Sequence, residues 1–415
     1  MKWSTLRVDD IKADCRYACV GGPFGSELIR RDYVEDGVPV VRGVNLASDG
    51  QFLDAEFVFV SEQKANKLIA NTAQRGDIVF TQRGTLGQVG LIPKDAKYDR
   101  YIISQSQMKL TVDESKVLSK YVFYFFRQKH IVNLIIRRAI TSGVPHINLG
   151  ILKSLEVIVP PVDVQQRIVG VLDAYSEAIE NNRRRIELLE QSVRLLFREW
   201  FVYLRYPGHE HETVVEGVPR EWAIEKFSNL VDFKEGPGLR NYQYREQGIP
   251  FLNIRTFGDD EIDLSKTQHL DENEVAKKYE HFLVEEDDHV VSSSGTLGRV
   301  VTIRKCHLPL MLNTSVIRMR PMPPMTKWFL KAYLKHGPYL QSVTAMATGA
   351  AQLNYGPMHL KMLEVLMPNE TLVQVFEDIA TPIYTQIKIL LDTNMQLQRA
   401  RDLLLPRLMD GKLAV

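Results

Sequence analysis

Two short turns, written almost identically, stand among the residue types that could do chemistry. Residues 83–89 read RGTLGQV and residues 294–300 read SGTLGRV. A glycine-rich turn can cradle a phosphate, but that use needs a P-loop lysine or spaced glycines between a strand and a helix, and neither copy has them. Around the first turn the candidate binding residues are Arg42, Asn45, Gln82, Arg83, Thr85, Ser104, Gln105 and Gln107; around the second they are Asn253, Arg255, Ser292, Ser293, Ser294, Thr296, Arg299, Asn313 and Thr314. Arginine, asparagine and glutamine offer paired donors and acceptors that match base edges in the major groove of duplex DNA. The constellation therefore points to recognition. No HExxH helix and no G-x-S-x-G elbow occurs, and no S-adenosylmethionine motif is recognisable, so no catalytic residue is assigned. His209 and His211, in YPGHEHETVV, read as a polar linker rather than a metal site, and no metal ligand is assigned.

The turns belong to a longer repetition. Gly84-Thr85-Leu86-Gly87 and Gly295-Thr296-Leu297-Gly298 lie 211 residues apart, as do GVPVVRGVNL at 37 and GIPFLNIRTF at 248. SKYVFYFF from Ser119 returns as TKWFLKAY from Thr326, and LEVIVP from Leu155 as LEVLMP from Leu363, at offsets of 207 and 208. Four matches in one order, at nearly one offset, make the chain an internal duplication. Each copy reads as a mixed α/β head followed by a long helix. GDIVFT and QMKLTV have strand composition. Ser119 and Thr326 are expected to cap the helices that follow them, and Pro160-Pro161 and Pro368 to close the heads.

Behind those prolines runs the clearest periodic signal. Ile168, Leu172, Tyr175, Ile179, Asn182, Ile186, Leu189, Val193, Leu196 and Trp200 alternate spacings of four and three, a heptad seam. Phe376, Ala380, Ile383, Ile387, Leu390, Asn394, Leu397, Arg401, Leu404 and Leu408 repeat it 208 residues later. Such a seam buries itself only against another helix, so the two helices should pack on each other. Asn182 and Asn394 put an amide into the seam, a device that fixes helix register. Pro382 is expected to bend the second helix near its start and Gly411 to cap its end. The expected boundaries are a first head over 1–160, a first helix over 161–206, a second head over 207–368 and a second helix over 369–415.

Composition narrows the remaining classes. Three cysteines without a CxxC pair support neither a disulfide framework nor a cysteine-bound zinc. With no apolar leader and no run of about 18 apolar residues, the expected setting is the cytoplasm, away from any membrane. A net charge of +1 gives no reason of its own to propose nucleic acid.

Taken together, GDIVFTQRGTLGQVGLIP, DDHVVSSSGTLGRVVTIR, INLGILKSLEVIVPPVDVQQRIVGVLD, LLFREWFV and ARDLLLPRLMDGKL resemble the specificity subunit of a Type I restriction-modification system over essentially the whole chain. The resemblance implies two tandem pseudo-symmetric target-recognition domains, separated by two long antiparallel coiled-coil helices, each domain reading one half of a split target in double-stranded DNA. It implies two methyltransferase subunits as partners, with restriction subunits as further ones, and a cytoplasmic complex. The chain itself would be non-catalytic and hold no cofactor; S-adenosylmethionine, ATP and Mg would belong to the partner subunits. Two other readings stay open: a coiled-coil assembly protein with α/β heads and no DNA role, and a nucleotide-using enzyme built on the glycine loops.

Overall fold

The computed structural model describes residues 3–46, 50–258, 261–347 and 353–413. Its backbone divides into two compact units, and the division runs through the long helices rather than at their ends. One unit comprises residues 1–181 and 394–415, the other residues 182–393. Each therefore contains one head, the near half of one long helix and the far half of the other.

The heads share a frame. In the first unit a four-stranded antiparallel sheet has the order Cys19–Gly21, Gln107–Leu110, Ile78–Thr81, Val89–Leu91. In the second, Val231–Glu235, Val316–Pro321, His289–Ser292 and Val300–Thr302 follow the same order. The central strands Ile78–Thr81 and Gln107–Leu110 are buried at every residue, as apolar runs covered on both faces should be. Lys109 enters this core because Asp77 receives its ammonium at 3.1 Å; the matching strand of the second unit carries Arg318 paired with Asp232, and Arg320 paired with Asp288. A buried cation without such a partner would be strongly unfavourable.

A second sheet differs between the heads. In the first it has five strands, with Val38–Val41 parallel to Arg100–Ile103. In the second, among the described residues, the antiparallel pair Ile249–Phe251 with Gln268–Leu270 takes its place, and a parallel bridge, Phe251 to Met311, keeps the same crossing.

The long helices run Val162–Phe197, continued by a π turn over Arg198–Val202, and Glu370–Met409. No position of either heptad seam is exposed. In the first unit Ile168 and Leu172 share a core with Leu405, Leu408 and Met409, and the Asn394 side-chain N–H donates to the Ile179 carbonyl at 3.3 Å. In the second, Phe197 and Trp200 meet Phe376 at ring distances of 6.0 and 6.2 Å. Low numbers on one helix meet high numbers on the other, so the pair is antiparallel. Buried residues also fall off the seam, at Phe197, Tyr384 and Leu405, because a head packs on the helices from the side and widens the apolar stripe.

Helix ends depart from the sequence reading in one respect. Ser119 is the first helical residue, not the cap: Leu118 holds that place, and its N–H donates to Gln165 Oε1 at 2.9 Å. Thr326 does hold the cap position, but its hydroxyl bonds no helix N–H. A carboxylate from the long helix does so instead: Glu377 Oε2 accepts from Trp328 N at 2.9 Å, Phe329 N at 3.2 Å and the Thr326 hydroxyl at 2.7 Å. The negative charge sits where the helix dipole is positive. At the other end, Gly411 has φ +68, its N–H donates to Leu408 O and that of Lys412 to Arg407 O, the two bonds of a Schellman cap. The second helix is continuous through Pro382.

Candidate nucleic-acid interface

Strand direction brings three loops of each head to one sheet end. In the first unit the loops after Val41, Thr81 and Ile103 meet there. Ser104 N donates to Val41 O at 3.0 Å, Gln82 N to Ser106 O at 2.7 Å and Gly22 N to Gln107 O at 2.8 Å. The approach is close enough to demand a glycine, since a Cβ on Gly22 would lie 2.0 Å from Ser104 O. The second unit repeats it. Leu252 N donates to Met311 O, Ser293 N to Ser315 O, and a Cβ on Gly236 would lie 2.4 Å from Asn313 N.

The twice-written turn sits inside this cluster. Gly84 and Gly87 have φ +99 and +87, Gly295 and Gly298 +73 and +75, all in the region that favours glycine. A Cβ on Gly87 would stand 2.5 Å from Val132, and one on Gly298 2.3 Å from Leu340. The glycines are thus accounted for by backbone geometry and by an apolar side chain pressed against the turn, without a phosphate. Beside the turn of the first unit lies a cavity of about 520 Å³ whose rim includes Gln88, Arg127, Lys129 and Arg401. Among the described residues no group of three or more metal-ligating side chains comes together.

The candidate residues separate by exposure. Arg83, Thr85 and Gln105 are exposed in the first unit; Arg255, Thr296 and Thr314 in the second. Arg83 and Arg255 make no side-chain hydrogen bond or ion pair with the described residues. Gln82, Arg42, Ser104, Asn253, Ser294, Arg299 and Asn313 are half-buried. Two of these are tied by their guanidinium groups, Arg42 to Glu56 O and Arg299 to Phe257 O, both at 2.9 Å.

Four others are scaffold. Asn45 is fully buried, accepting from Arg42 N at 2.8 Å and donating to Leu53 O and Ala55 O. Gln107 is buried and takes the Ser104 hydroxyl. Ser292 donates to Thr296 O at 2.6 Å and accepts from Arg299 N at 2.9 Å, bracing the second turn from inside. Ser293 is 1 % exposed. None of the four presents an edge to solvent, so their amides and hydroxyls shape the loops. Asn394 is buried in the helix seam, and Asn182 is half-buried.

The sequence reading passed over one part of the cluster, the connection that follows Gly22-Pro23 and Gly236-Pro237. Gln105 draws it in, its Nε2 donating to Gly25 O at 2.5 Å and Leu28 O at 2.6 Å. The signal was the Gly-Pro pair, present in both copies at the same point of the frame.

The sequence and the fold have counterparts among known proteins. Residues 31–191 match the family described as Type I restriction modification DNA specificity domain. Over its whole length the chain is 21 % identical to the Type I restriction enzyme MjaIX specificity subunit of Methanocaldococcus jannaschii, covering 94 % of it. The chain is thus similar to Type I specificity subunits over its length, with the family match itself confined to residues 31–191. The HindI specificity subunit of Haemophilus influenzae is also 21 % identical, over 94 % of this chain and 97 % of the relative. The fold agrees: the crystal structure of a Type I restriction-modification S subunit from M. genitalium superposes with a TM-score of 0.56 at 17 % identity, covering 98 % of this chain and 96 % of that one. Among its described residues no helix is long and apolar enough to cross a membrane.

Proposed function

We propose that each unit reads one half of a bipartite target in double-stranded DNA, while the antiparallel helices hold the readers at a fixed separation and dock two methyltransferase subunits. One observation carries this reading: the same loop cluster is built twice at the same sheet end, with different side chains exposed on it. Arg83 precedes the glycine in the first turn and Ser294 in the second, and Arg255 stands on a loop whose counterpart carries Val44. A conserved frame with divergent edges is what two readers of different half-sites require. The exposed Arg83, Thr85 and Gln105 would face one half, and Arg255, Thr296 and Thr314 the other.

The chain contributes no chemistry in this reading. Methyl transfer from S-adenosylmethionine, and ATP-driven action by restriction subunits with Mg, would belong to partners in the cytoplasm. Those partners would also supply much of the phosphate contact that a net charge of +1 does not.

Insertion of four residues after Ile186 tests the separation. It lengthens the helix by about 6 Å, so the gap between half-sites should change by one or two base pairs at roughly 3.4 Å each. Mapping methylated adenines in cells that carry the insertion reads the result. Unchanged half-sites with a new gap are expected; an unchanged gap with full methylation would reject the ruler. Arg83→Ala should relax one half-site and Arg255→Ala the other, each by about 1 to 3 kcal/mol if the contact is bidentate. Equal loss on every duplex would mean that these arginines hold phosphate.

A further inference from the structure

Among the described residues the two most exposed large apolar side chains are Phe24, at 87 %, and Tyr242, at 81 %. They fall one in each unit. Both occupy the connection that leaves the first strand of the four-stranded sheet through a Gly-Pro pair, Gly22-Pro23 in one head and Gly236-Pro237 in the other. That connection starts at the sheet end where the candidate reading loops converge. The surrounding sequences, FGSELIRRDY and LRNYQYREQ, have little in common, so the shared feature is the projecting ring rather than an inherited motif.

Neither ring sits on a slack loop. Phe24 caps a 3-10 turn over Gly25–Glu27, where its N–H donates to Glu27 Oε2 at 3.0 Å, and the Gln105 amide fastens the carbonyls of Gly25 and Leu28. Tyr242 lies within the 3-10 turn Asn241–Gln243. Gln243, buried at its base, accepts from Arg240 N at 2.9 Å and donates to Glu274 Oε1 at 2.8 Å and the Tyr279 hydroxyl at 3.2 Å. Arg245 adds a bond to the Tyr242 carbonyl at 3.0 Å. A glutamine in each unit thus pins an aromatic side chain outward. Exposed arginines lie near both rings in the sequence, Arg30 and Arg31 in one head and Arg240 and Arg245 in the other, with Glu27 and Glu246 the exposed carboxylates among them.

Holding a large apolar ring in water forgoes the stabilisation that its burial would provide. A fixed, exposed ring beside loops that carry the unpaired Arg83 or Arg255 suits one surface above others: a stack of bases bordered by phosphates. Aromatic and apolar side chains enter such stacks between base steps, and sequence-tolerant stacking binds nucleobases whatever their edges.

We propose that Phe24 and Tyr242 are paired wedges, one per unit, each entering its half of the DNA site and unstacking a base step next to the bases read by the loops. The inference rests on the reading of the units as DNA readers and adds to it a distortion of the duplex at two places. Each wedge would favour flexible pyrimidine–purine steps, giving sequence preference at a position that no hydrogen bond reads.

The test uses the chain assembled with its methyltransferase subunits and a duplex carrying its mapped target. 2-Aminopurine replaces successive adenines other than the methylated one, since methyltransferases extrude the base they modify. Wild-type protein should raise fluorescence at one step in each half. Phe24→Ala should remove the signal from one half and Tyr242→Ala from the other, each weakening binding about 5- to 100-fold, the range for loss of one stacked base. Phe24→Trp and Tyr242→Phe should keep both signal and affinity. Because both side chains lie in solvent, the alanine variants retain the fold. Alanine variants that bind as wild type with an unchanged fluorescence profile would overturn the wedges while leaving half-site reading intact. Affinity loss without any 2-aminopurine signal in the wild type would place the rings on the backbone and overturn unstacking. Absence of sequence-specific binding by the wild type would overturn the reading itself and the wedges with it.

Discussion

The two units solve the same assembly problem with different chemistry at their bases. In the first, the head rests on aliphatic helix residues, Ile168, Leu172, Leu405 and Leu408, and Gln165 closes the junction by accepting from Leu118 N and donating to Pro160 O and Lys116 O. In the second, the same place holds Phe197, Trp200, Phe201, Phe329 and Phe376, with Trp328 stacked on Tyr384 at 4.6 Å and Glu377 at the helix start. Duplication copied the frame, and the two bases then diverged as freely as the reading loops. What the two units share is the close approach at the glycines: a Cβ on Gly22 or Gly236 would run into backbone, and one on Gly87 or Gly298 into an apolar side chain. Each base, by contrast, needs only volume and matched hydrogen bonds, which several residue sets can provide.

This contrast can be broken unit by unit. The largest effect is expected from Trp328→Ala, which removes a 2 % exposed side chain from the aromatic base of the second unit. It should destabilise that unit by about 3 to 5 kcal/mol, the usual range for a buried large aromatic. Hydrogen exchange should show protection lost within residues 182–393 and retained in the first head; equal loss in both would mean that the units do not unfold separately.

Acid should discriminate next. Burial pushes the His289 imidazole down to about 4, with its nitrogens facing Thr302 Oγ1 and Lys327 O, and burial likewise holds His336 down to about 4. Where the unfolded chain takes up a proton near pH 6.5, the folded unit refuses one until about pH 4. Stability is therefore complete above about 6.5 and declines as pH falls towards 4. The loss for His289 alone is about 3 kcal/mol. The first unit has Ile78 and Gln128 at these positions. The second unit should melt earlier at pH 5 than at pH 7, and His289→Gln should flatten that dependence; a pH-independent transition would count against the buried neutral imidazole.

Removing the caps compares like with like. Glu377→Ala leaves two helix N–H groups without their acceptor, and Gln165→Ala leaves one N–H and two carbonyls unpaired. Each should cost about 1 to 3 kcal/mol in its own unit. Thermal unfolding followed by a probe in each head would show whether the effects stay local.

The smallest change is expected from Asn394→Leu. Its amide donates to Ile179 O at 3.3 Å, a long bond in a largely apolar seam. Stability should move by no more than about 1 kcal/mol in either direction, because an apolar side chain of similar size fills the seam as the long hydrogen bond is lost. A loss of several kcal/mol would show that the amide carries more of the helix pairing than this bond accounts for.

The periodic and steric features were readable from the sequence. A heptad seam is a local pattern, and all twenty of its positions are shielded here. The glycine turns were readable because few residues but glycine tolerate that backbone. Side-chain direction was not. Asn45, Gln107, Ser292 and Ser293 have the composition of binding residues, yet they point inward, and nothing in a residue's type says which way its strand end turns. The caps escaped for a different reason: Glu377 lies 51 residues from Thr326 along the chain, and only the fold brings them together. Phe24 and Tyr242 were hidden by their own apolar character, which in a sequence reads as core.

One consequence follows from the division of the chain. Residues 182–393 form the second unit without interruption, but the first needs residues 394–415 to complete its base. On a ribosome adding about 5 to 20 residues per second, the head made first must wait roughly 10 to 40 s for its last helix. During that time Ile168 and Leu172, buried in the finished molecule, lack Leu405, Leu408 and Met409 to cover them. The later-made head is the earlier to close, and the first keeps an apolar surface uncovered until residues 394–415 have followed.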